Sequence, residues 1–331
     1  MEKIVIAIPN AKEKEIVNTI LSAYNNADNK DNLIFSVFSY NNEYINKNLS
    51  KLNNIKIIES KFYFDIPPGT GISRLIPHTL IGIDYDYLLQ IDAHNLFIKG
   101  WDSYLKNTYN LINKKYKNFV ISGYTNGFSK LENLNIYDLP EMISPGLKLN
   151  CKILDDQLIF FNEKEEVIWN NDEEYKESYT LQGAFIFGKK EFWEEFVHDP
   201  RNVWGGEQDI LALRLITRDY KIFYPKKICM WSKNKEYFDL TKDKIENNTA
   251  RTIKEKIINQ EEFDWRKDII NNDLWSELMM KTSDLRYNIY TGNYIGYWGS
   301  SSKKKLKEYE KKVGINFKKM YKKCKIGGLN G

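Results

Sequence analysis

Short apolar runs, each stopped by a turn signal and followed by a stretch with helical spacing, organise the first half of the chain. Residues 3–8, Lys-Ile-Val-Ile-Ala-Ile, halt at Pro9-Asn10 and predict a buried first strand ending in a loop. Over 13–23 the apolar positions Ile16, Val17, Ile20 and Leu21 fall on one helical side, and further apolar runs follow at 33–38 and 55–58. This alternation predicts a parallel sheet covered by helices, an architecture whose ligands gather at the carboxyl ends of the strands. The loop Pro67-Pro68-Gly69-Thr70-Gly71 then leads into a helix predicted to continue from Ile72 to Ile81 despite Pro77, and a strand ends at Asp92. A helix over 103–114 turns Leu105, Tyr109 and Ile112 inward, and a strand spans 119–123.

Periodicity fails over 126–180. Such a segment reads as an insertion shaping a substrate pocket, with a disordered loop as the other reading. Order returns with a strand at 181–188, a helix at 190–196, a helix opened by Trp204-Gly205-Gly206-Glu207-Gln208-Asp209 and a strand at 220–225. Beyond about Ser232 charge dominates, with helices predicted near Ile257 and over 274–281. The aromatic and glycine stretch Tyr294-Ile295-Gly296-Tyr297-Trp298-Gly299 and a basic helix follow. The predicted organisation is therefore a core over 1–235 and a charged, largely helical extension over 236–331, which either packs on the core or forms a small module of its own.

Composition narrows the function classes. No stretch approaches the roughly 20 apolar residues of a membrane helix, and no leader-like segment opens the chain. Cys151, Cys229 and Cys324 are widely spaced, which supports neither a disulfide framework nor a zinc site. These features predict a soluble protein of the cytoplasm. A net charge of +4, from 49 Lys and Arg against 45 Asp and Glu, does not mark a nucleic-acid binder. The lysine pairs between Lys303 and Lys323 read as a solvated helix face, or as electrostatic help for a phosphate-bearing or acidic partner.

Three constellations carry chemistry. Asp92 and His94 follow a buried strand at alternate positions, so both lean to one side. Carboxylate oxygen with imidazole suits Mn2+ or Mg2+, which clamps a diphosphate, whereas a histidine satisfied by local hydrogen bonds is the plainer reading. In the segment 204–209, Trp204 offers a sugar-stacking face, Gly206 a close backbone approach, and Glu207 and Asp209 two carboxylates at a helix start. The plain alternative there is a helix N-terminus with acidic residues facing the dipole. Arg74 follows a Gly-Thr-Gly loop and presents a phosphate-binding fork, or else a surface ion-pair partner. Trp298 among glycines is a further stacking candidate.

Taken in order, these motifs resemble GT-A glycosyltransferases. The series runs from the strand and Pro-Asn loop, through the helix with Ser73-Arg74, Leu89-Gln90-Ile91-Asp92-Ala93-His94 and Gly183-Ala184-Phe185-Ile186-Phe187-Gly188, to Trp204–Asp209. The chain looks like the polypeptide α-N-acetylglucosaminyltransferase family that includes the Skp1 hydroxyproline GlcNAc-transferase. That likeness extends to Gly296-Tyr297-Trp298-Gly299, Tyr309-Glu310 and Gly314-Ile315-Asn316-Phe317. Trp204-Gly205-Gly206-Glu207 is also similar to a segment of the polypeptide GalNAc-transferases.

The resemblance implies an α/β fold of the GT-A nucleotide-sugar-binding type with a helical C-terminal extension. It also implies retaining transfer of a sugar, GlcNAc in the nearest family, from a UDP-sugar to a protein hydroxyl with Mn2+ or Mg2+. Carried over, Pro9 and Asn10 border the uridine and Arg74 meets the diphosphate. Asp92 and His94 hold the metal, with Asp92 also near the ribose. Gly183, Ala184, Trp204 and Gly206 line the donor site, and Glu207 and Asp209 contact donor sugar or acceptor as the catalytic pair. One departure stands out. The relatives carry another histidine after the last core strand, where this chain reads Ile228-Cys229-Met230-Trp231-Ser232-Lys233. Water, Ser232, Asn234, Lys233 or Lys235 are the substitutes the sequence offers. Transfer to a nucleic acid base or glycan, and a catalytically inactive nucleotide-sugar-binding protein, are the competing readings. Donor sugar, linkage and oligomeric state stay open at this level.

Overall fold

The apolar runs assemble into one eight-stranded sheet. In the computed structural model the described residues are 2–10, 13, 15–40, 49, 52, 54–62, 69–128, 138–154, 157–202, 206–233 and 284–323. The sheet contains β1 (Ile4–Asn10), β2 (Leu33–Tyr40), β3 (Ile57–Phe62), β4 (Tyr87–Ile91), β6 (Phe119–Ser122), β10 (Tyr175–Ser178), β11 (Phe185–Lys189) and β12 (Lys221–Pro225). Their order is β10-β12-β6-β11-β4-β1-β2-β3. The neighbours β4, β1, β2 and β3 are parallel to one another, as are β12 and β6, while β11 and β10 run antiparallel to their partners. This is the mostly parallel, helix-flanked sheet that the alternation predicts.

Strand periodicity divides the core in two. Ile4, Ile6 and Ile8 of β1 join Leu33, Phe35, Leu89 and Ile91 on one face, where α1 (Ile16–Asn25) and α3 (Trp101–Asn113) contribute Ile20, Trp101, Leu105 and Ile112. Val5 and Ala7 point to the other face, with Ile34, Leu88, Val120 and Ile186. There α4 (Lys190–Glu195) and α5 (Glu207–Ile216) cover the sheet through Trp193, Leu211 and Leu215. Strands buried on both faces read as continuous apolar runs, which is why they were visible without a structure.

The second face is closed by the C-terminal segment. Ile289 and Tyr290 from the helical residues 284–290 pack into the same cluster as α5. Leu306, Tyr309 and Val313 of α6 (Lys303–Val313) and Phe317 and Tyr321 of α7 (Phe317–Lys323) do likewise. Residues 284–323 thus share a core cluster with α5, while the helices expected near Ile257 and over 274–281 lie outside the described residues. Arg214 of α5 ties the segment down further, donating to the Tyr297 carbonyl at 2.9 Å and stacking over the Tyr297 and Trp298 rings. Trp298 thus packs against arginine side chains, those of Arg201 and Arg214.

The irregular segment holds more structure than its sequence suggests. It contains β7 (Asn126–Phe128), the hairpin β8 (Gly146–Leu154) and β9 (Gln157–Glu165), and edge strand β10. Polar residues alternate unevenly along the hairpin because much of it faces water, so no clean period survives. A small second sheet joins β5 (Asn95–Phe97), β13 (Met230–Lys233) and β7.

Helix α2 (Gly69–Thr79) packs over β1 and β2 and carries Pro77 in its last turn, where it costs the bond to the Ser73 carbonyl. Its seat depends on Gly71, whose N–H donates to the Asn202 carbonyl at 2.8 Å. A Cβ there would lie 2.1 Å from the Asp199 carbonyl oxygen and 2.8 Å from that of Asn202, both backbone atoms. Gly71→Ala should therefore destabilise the protein by about 2–3 kcal/mol as α2 is pushed outward. Urea unfolding measures this, and a midpoint equal to the parent's would show that α2 is not clamped at this point.

Candidate active site

Parallel strands β1 and β4 end at the same edge of the sheet, and antiparallel β11 begins there, with Phe185 opposite Ile91. Topology alone thus brings Pro9, Asn10, Asp92, His94, Gly183 and Ala184 to one edge. Helix α2 delivers Arg74 from its second turn, and α5 presents Glu207 at its first position after Gly206.

Arg74 joins these elements. Its Nη1 donates to the Gly183 carbonyl at 2.6 Å and its Nη2 to Asp92 Oδ1 at 2.9 Å, while its Nε lies 3.5 Å from Glu207 Oε1. Thr70 donates to the other Glu207 oxygen at 3.3 Å. Only 8 % of Arg74 is exposed, so it is no surface ion-pair partner. The Gly183 N–H donates to Gln208 Oε1 at 2.7 Å. A Cβ on Gly183 would meet that oxygen at 2.8 Å and Arg74 Nη2 at 3.2 Å, which explains the glycine.

His94 is fixed by the other side of the site. Its Nδ1 lies 2.6 Å from Glu13 Oε2, and its Nε2 lies 3.9 Å from Asp92 Oδ2. Asn10 Oδ1 accepts from the Glu13 N–H at 3.0 Å, so the end of β1 sets the position of that carboxylate. Thr19 of α1 braces the turn, donating to the Ala93 carbonyl at 2.8 Å and accepting from the Asn95 N–H at 3.0 Å. Glu13, Thr70, Gln90, Gln208 and His198 were not singled out by their sequence positions. The one local signal was Gln90, an amide inside an otherwise apolar strand.

The place expected to hold a third metal ligand is occupied differently. The Lys233 N–H donates to the His94 carbonyl at 3.0 Å, and its ammonium pairs with Glu15. Ser232 lies opposite Asn95 in the small sheet, and Asn234 and Lys235 fall outside the described residues. Among the described residues no three His, Cys, Asp or Glu side chains converge as a metal cage. Asp92 Oδ2 and His94 Nε2 nevertheless face one another as a hard oxygen and an imidazole nitrogen. Glu13 on the remote imidazole nitrogen is the orienting contact that ligating histidines make. In chemical type and orientation the two residues fit two ligands of a divalent ion.

Asp209 faces away from this edge. It is 1 % exposed, its Oδ1 has no hydrogen-bond partner among the described residues, and its field reaches Arg286, Tyr290 and Tyr309. Burial raises its pKa to about 7, reinforced by Glu207 and opposed by Arg286. Trp204 lies outside the described residues, whereas Gly206 packs against the Arg286 side chain.

A family model described as Glycosyltransferase (GlcNAc) matches residues 8–319, a span that includes every residue of this edge. The chain belongs to this glycosyltransferase family. It is therefore an enzyme of sugar transfer by family, and its sheet is the α/β architecture that the resemblance implies. Among solved structures, the chain is similar to residues 1–349 of S. aureus TarS in complex with UDP-GlcNAc, at 12 % identity and a TM-score of 0.47, covering 88 % of this chain and 73 % of that one. The same S. aureus segment in complex with UDP gives 12 % identity and 0.46 over 88 % and 72 %, and S. aureus TarS itself 12 % and 0.45 over 87 % and 45 %. No curated protein matches the chain at a significant level. No helix among the described residues is long and apolar enough to cross a membrane.

Proposed function

We propose that this glycosyltransferase moves GlcNAc from UDP-GlcNAc to a hydroxyl acceptor on a protein with retention of configuration, and that the edge joining Asp92, His94, Arg74 and Glu207 is its active site. The convergence of these four residues from β4, α2 and α5 carries the reading. The family description supports GlcNAc as the sugar, and the Skp1-type resemblance supports a protein hydroxyl. Asn10 Nδ2 at the end of β1 is buried and without a partner among the described residues, so a uracil carbonyl reaching it would satisfy a donor that otherwise lacks one.

Asp92 Oδ2 and His94 Nε2 would hold a divalent ion, whose charge stabilises the departing diphosphate. Glu13 turns His94 toward that position. Arg74 keeps the Asp92 carboxylate aimed at the site and adds positive charge beside the diphosphate. Both Glu207 oxygens are engaged, by Arg74 and Thr70, so Glu207 acts by accepting hydrogen bonds from sugar hydroxyls rather than as a covalent nucleophile. Asp209, buried behind Glu207 and repelled by its charge, takes no part in this contact. In the transfer the bond from the anomeric carbon to the phosphate oxygen breaks as the acceptor oxygen bonds to the same face. The acceptor proton passes to the departing phosphate oxygen.

UDP release from UDP-GlcNAc and from other UDP-sugars, with and without Mn2+, tests this. Asp92→Asn and His94→Ala should each lower release by roughly 100-fold, the scale of losing one electrostatic stabiliser. No UDP release by the wild type from any UDP-sugar, or variants as active as the parent, would sink the assignment.

A further inference from the structure

A carboxamide in the middle of a core strand calls for a reason. Gln90 lies among Tyr87, Leu88, Leu89 and Ile91 of β4 and is 0 % exposed. Burying its amide is costly unless both ends are bonded. Here both are. Nε2 donates to the Gly183 carbonyl at 2.7 Å, and Oε1 lies 2.6 Å from His198 Nε2.

The pairing fixes hydrogen positions. Because Gly183 offers a carbonyl, the nitrogen of the Gln90 amide must face it, and the amide oxygen must face the imidazole. His198 Nε2 therefore carries a proton and donates. His198 is 1 % exposed, and burial, aided by His78, Arg74 and Arg214, holds its pKa well below the usual histidine range, so the ring is neutral. The Gly183 carbonyl then receives two donors, Gln90 and Arg74, while Gln208 takes the Gly183 N–H. Three side chains from three elements clamp the backbone of one residue, two at its carbonyl and one at its N–H.

Holding β11 to β4 does not require this. The two strands already pair along Phe185 to Lys189 opposite Ile91 to Tyr87. Leucine or methionine at 90 with phenylalanine at 198 would fill the same space without polar cost. What the amide adds is direction. Gln90 lies two residues before Asp92 and shares its side of the strand. Its bond to Gly183 shares an acceptor with the arginine that aims Asp92 and Glu207.

We propose that Gln90, locked in orientation by His198, is a positioning residue that fixes the Gly183 backbone, through its carbonyl, at the donor-sugar side of the site. The proposal rests on the sugar-transfer reading above for its kinetic consequence, but its structural consequence is measurable without turnover. The experiment compares the full chain with Gln90→Met, which keeps volume and loses the donor, His198→Phe, which loses the lock, and His198→Gln, which restores an N–H donor. Hydrogen exchange at the Gly183 amide is followed beside UDP affinity by calorimetry and UDP-GlcNAc turnover.

Gln90→Met and His198→Phe should exchange the Gly183 amide about tenfold faster while the β11 amides keep their protection. Their kcat should fall roughly 10- to 100-fold, the scale of a misplaced reacting group, with UDP affinity within about twofold of the parent. His198→Gln should recover most of both. Unchanged Gly183 exchange in both loss variants overturns the proposal, as does protection lost uniformly across the sheet or His198→Gln behaving as His198→Phe. Should the wild type release no UDP while Gly183 exchange still responds as expected, the transfer reading fails and the positioning role stands.

Discussion

Arg74→Met should abolish most activity, by about 1000-fold, and lower stability by about 3–5 kcal/mol. Both effects have the same origin. The guanidinium holds the Gly183 carbonyl, Asp92 and Glu207 with separate nitrogens, and the Glu207 side chain is only 9 % exposed. Removing one partner of a buried pair leaves an uncompensated carboxylate, which costs far more than the pair itself contributes. The catalytic loss follows from the proposed site, because Asp92 and Glu207 are then free to turn from the positions in which that proposal has them meet a donor. Lysine should not rescue. A single ammonium lacks the planar fork that reaches three acceptors in different directions. Arg74→Met combined with Glu207→Gln should regain stability without regaining turnover, because the second change removes the stranded charge but restores no positioning. Urea unfolding and UDP release separate the two effects. Near-parental turnover in Arg74→Met, or a double variant no more stable than the single, would contradict the hub assignment.

At alkaline pH, Asp209→Asn should stabilise the protein by on the order of 4 kcal/mol. The folded pKa of Asp209 is raised to about 7, chiefly by burial, against an unfolded value near 4. Between these values the folded state binds a proton that the unfolded chain has released. Stability from Asp209 is thus fully present below about pH 4 and is lost as the pH rises through about 7. Asparagine is neutral throughout, so the variant and parent should melt alike near pH 4 and diverge by pH 8, with the variant higher. An equal difference at both pH values would show that Asp209 does not titrate in this range. The charge lies where α5 meets Arg286 and Tyr290, so ionisation loosens the seat of the C-terminal segment as well as the helix that begins with Glu207.

Parts of the fold were legible because burial leaves a one-dimensional trace. Strands β1, β2, β4, β6 and β12 are covered on both faces and read as apolar runs, and α1 and α3 show their inward stripes. Direction leaves no such trace. Nothing in Phe185-Ile186-Phe187 says that β11 runs against β4, nor does Tyr175–Ser178 announce an edge strand among the polar residues around it. The candidate site divides the same way. Asp92 and His94 were visible because two polar residues at alternate positions closed a buried strand, and Glu207 because glycines preceded a helix start. Glu13, Gln208 and His198 act through partners whose identity depends on which strand ends share an edge.

The sequence by itself determined which segments are buried, the α/β alternation and the chemical types at the ends of β1, β4 and α5, because hydrophobic period and local turn chemistry are properties of neighbouring residues. Only the tertiary structure decided that Arg74 holds two carboxylates and a carbonyl, that Glu13 orients His94, that Lys233 turns to Glu15, and that Asp209 faces the C-terminal segment. These are pairings across 18 to more than 200 residues of chain. Their geometry comes from strand order and helix seating, which no local pattern encodes.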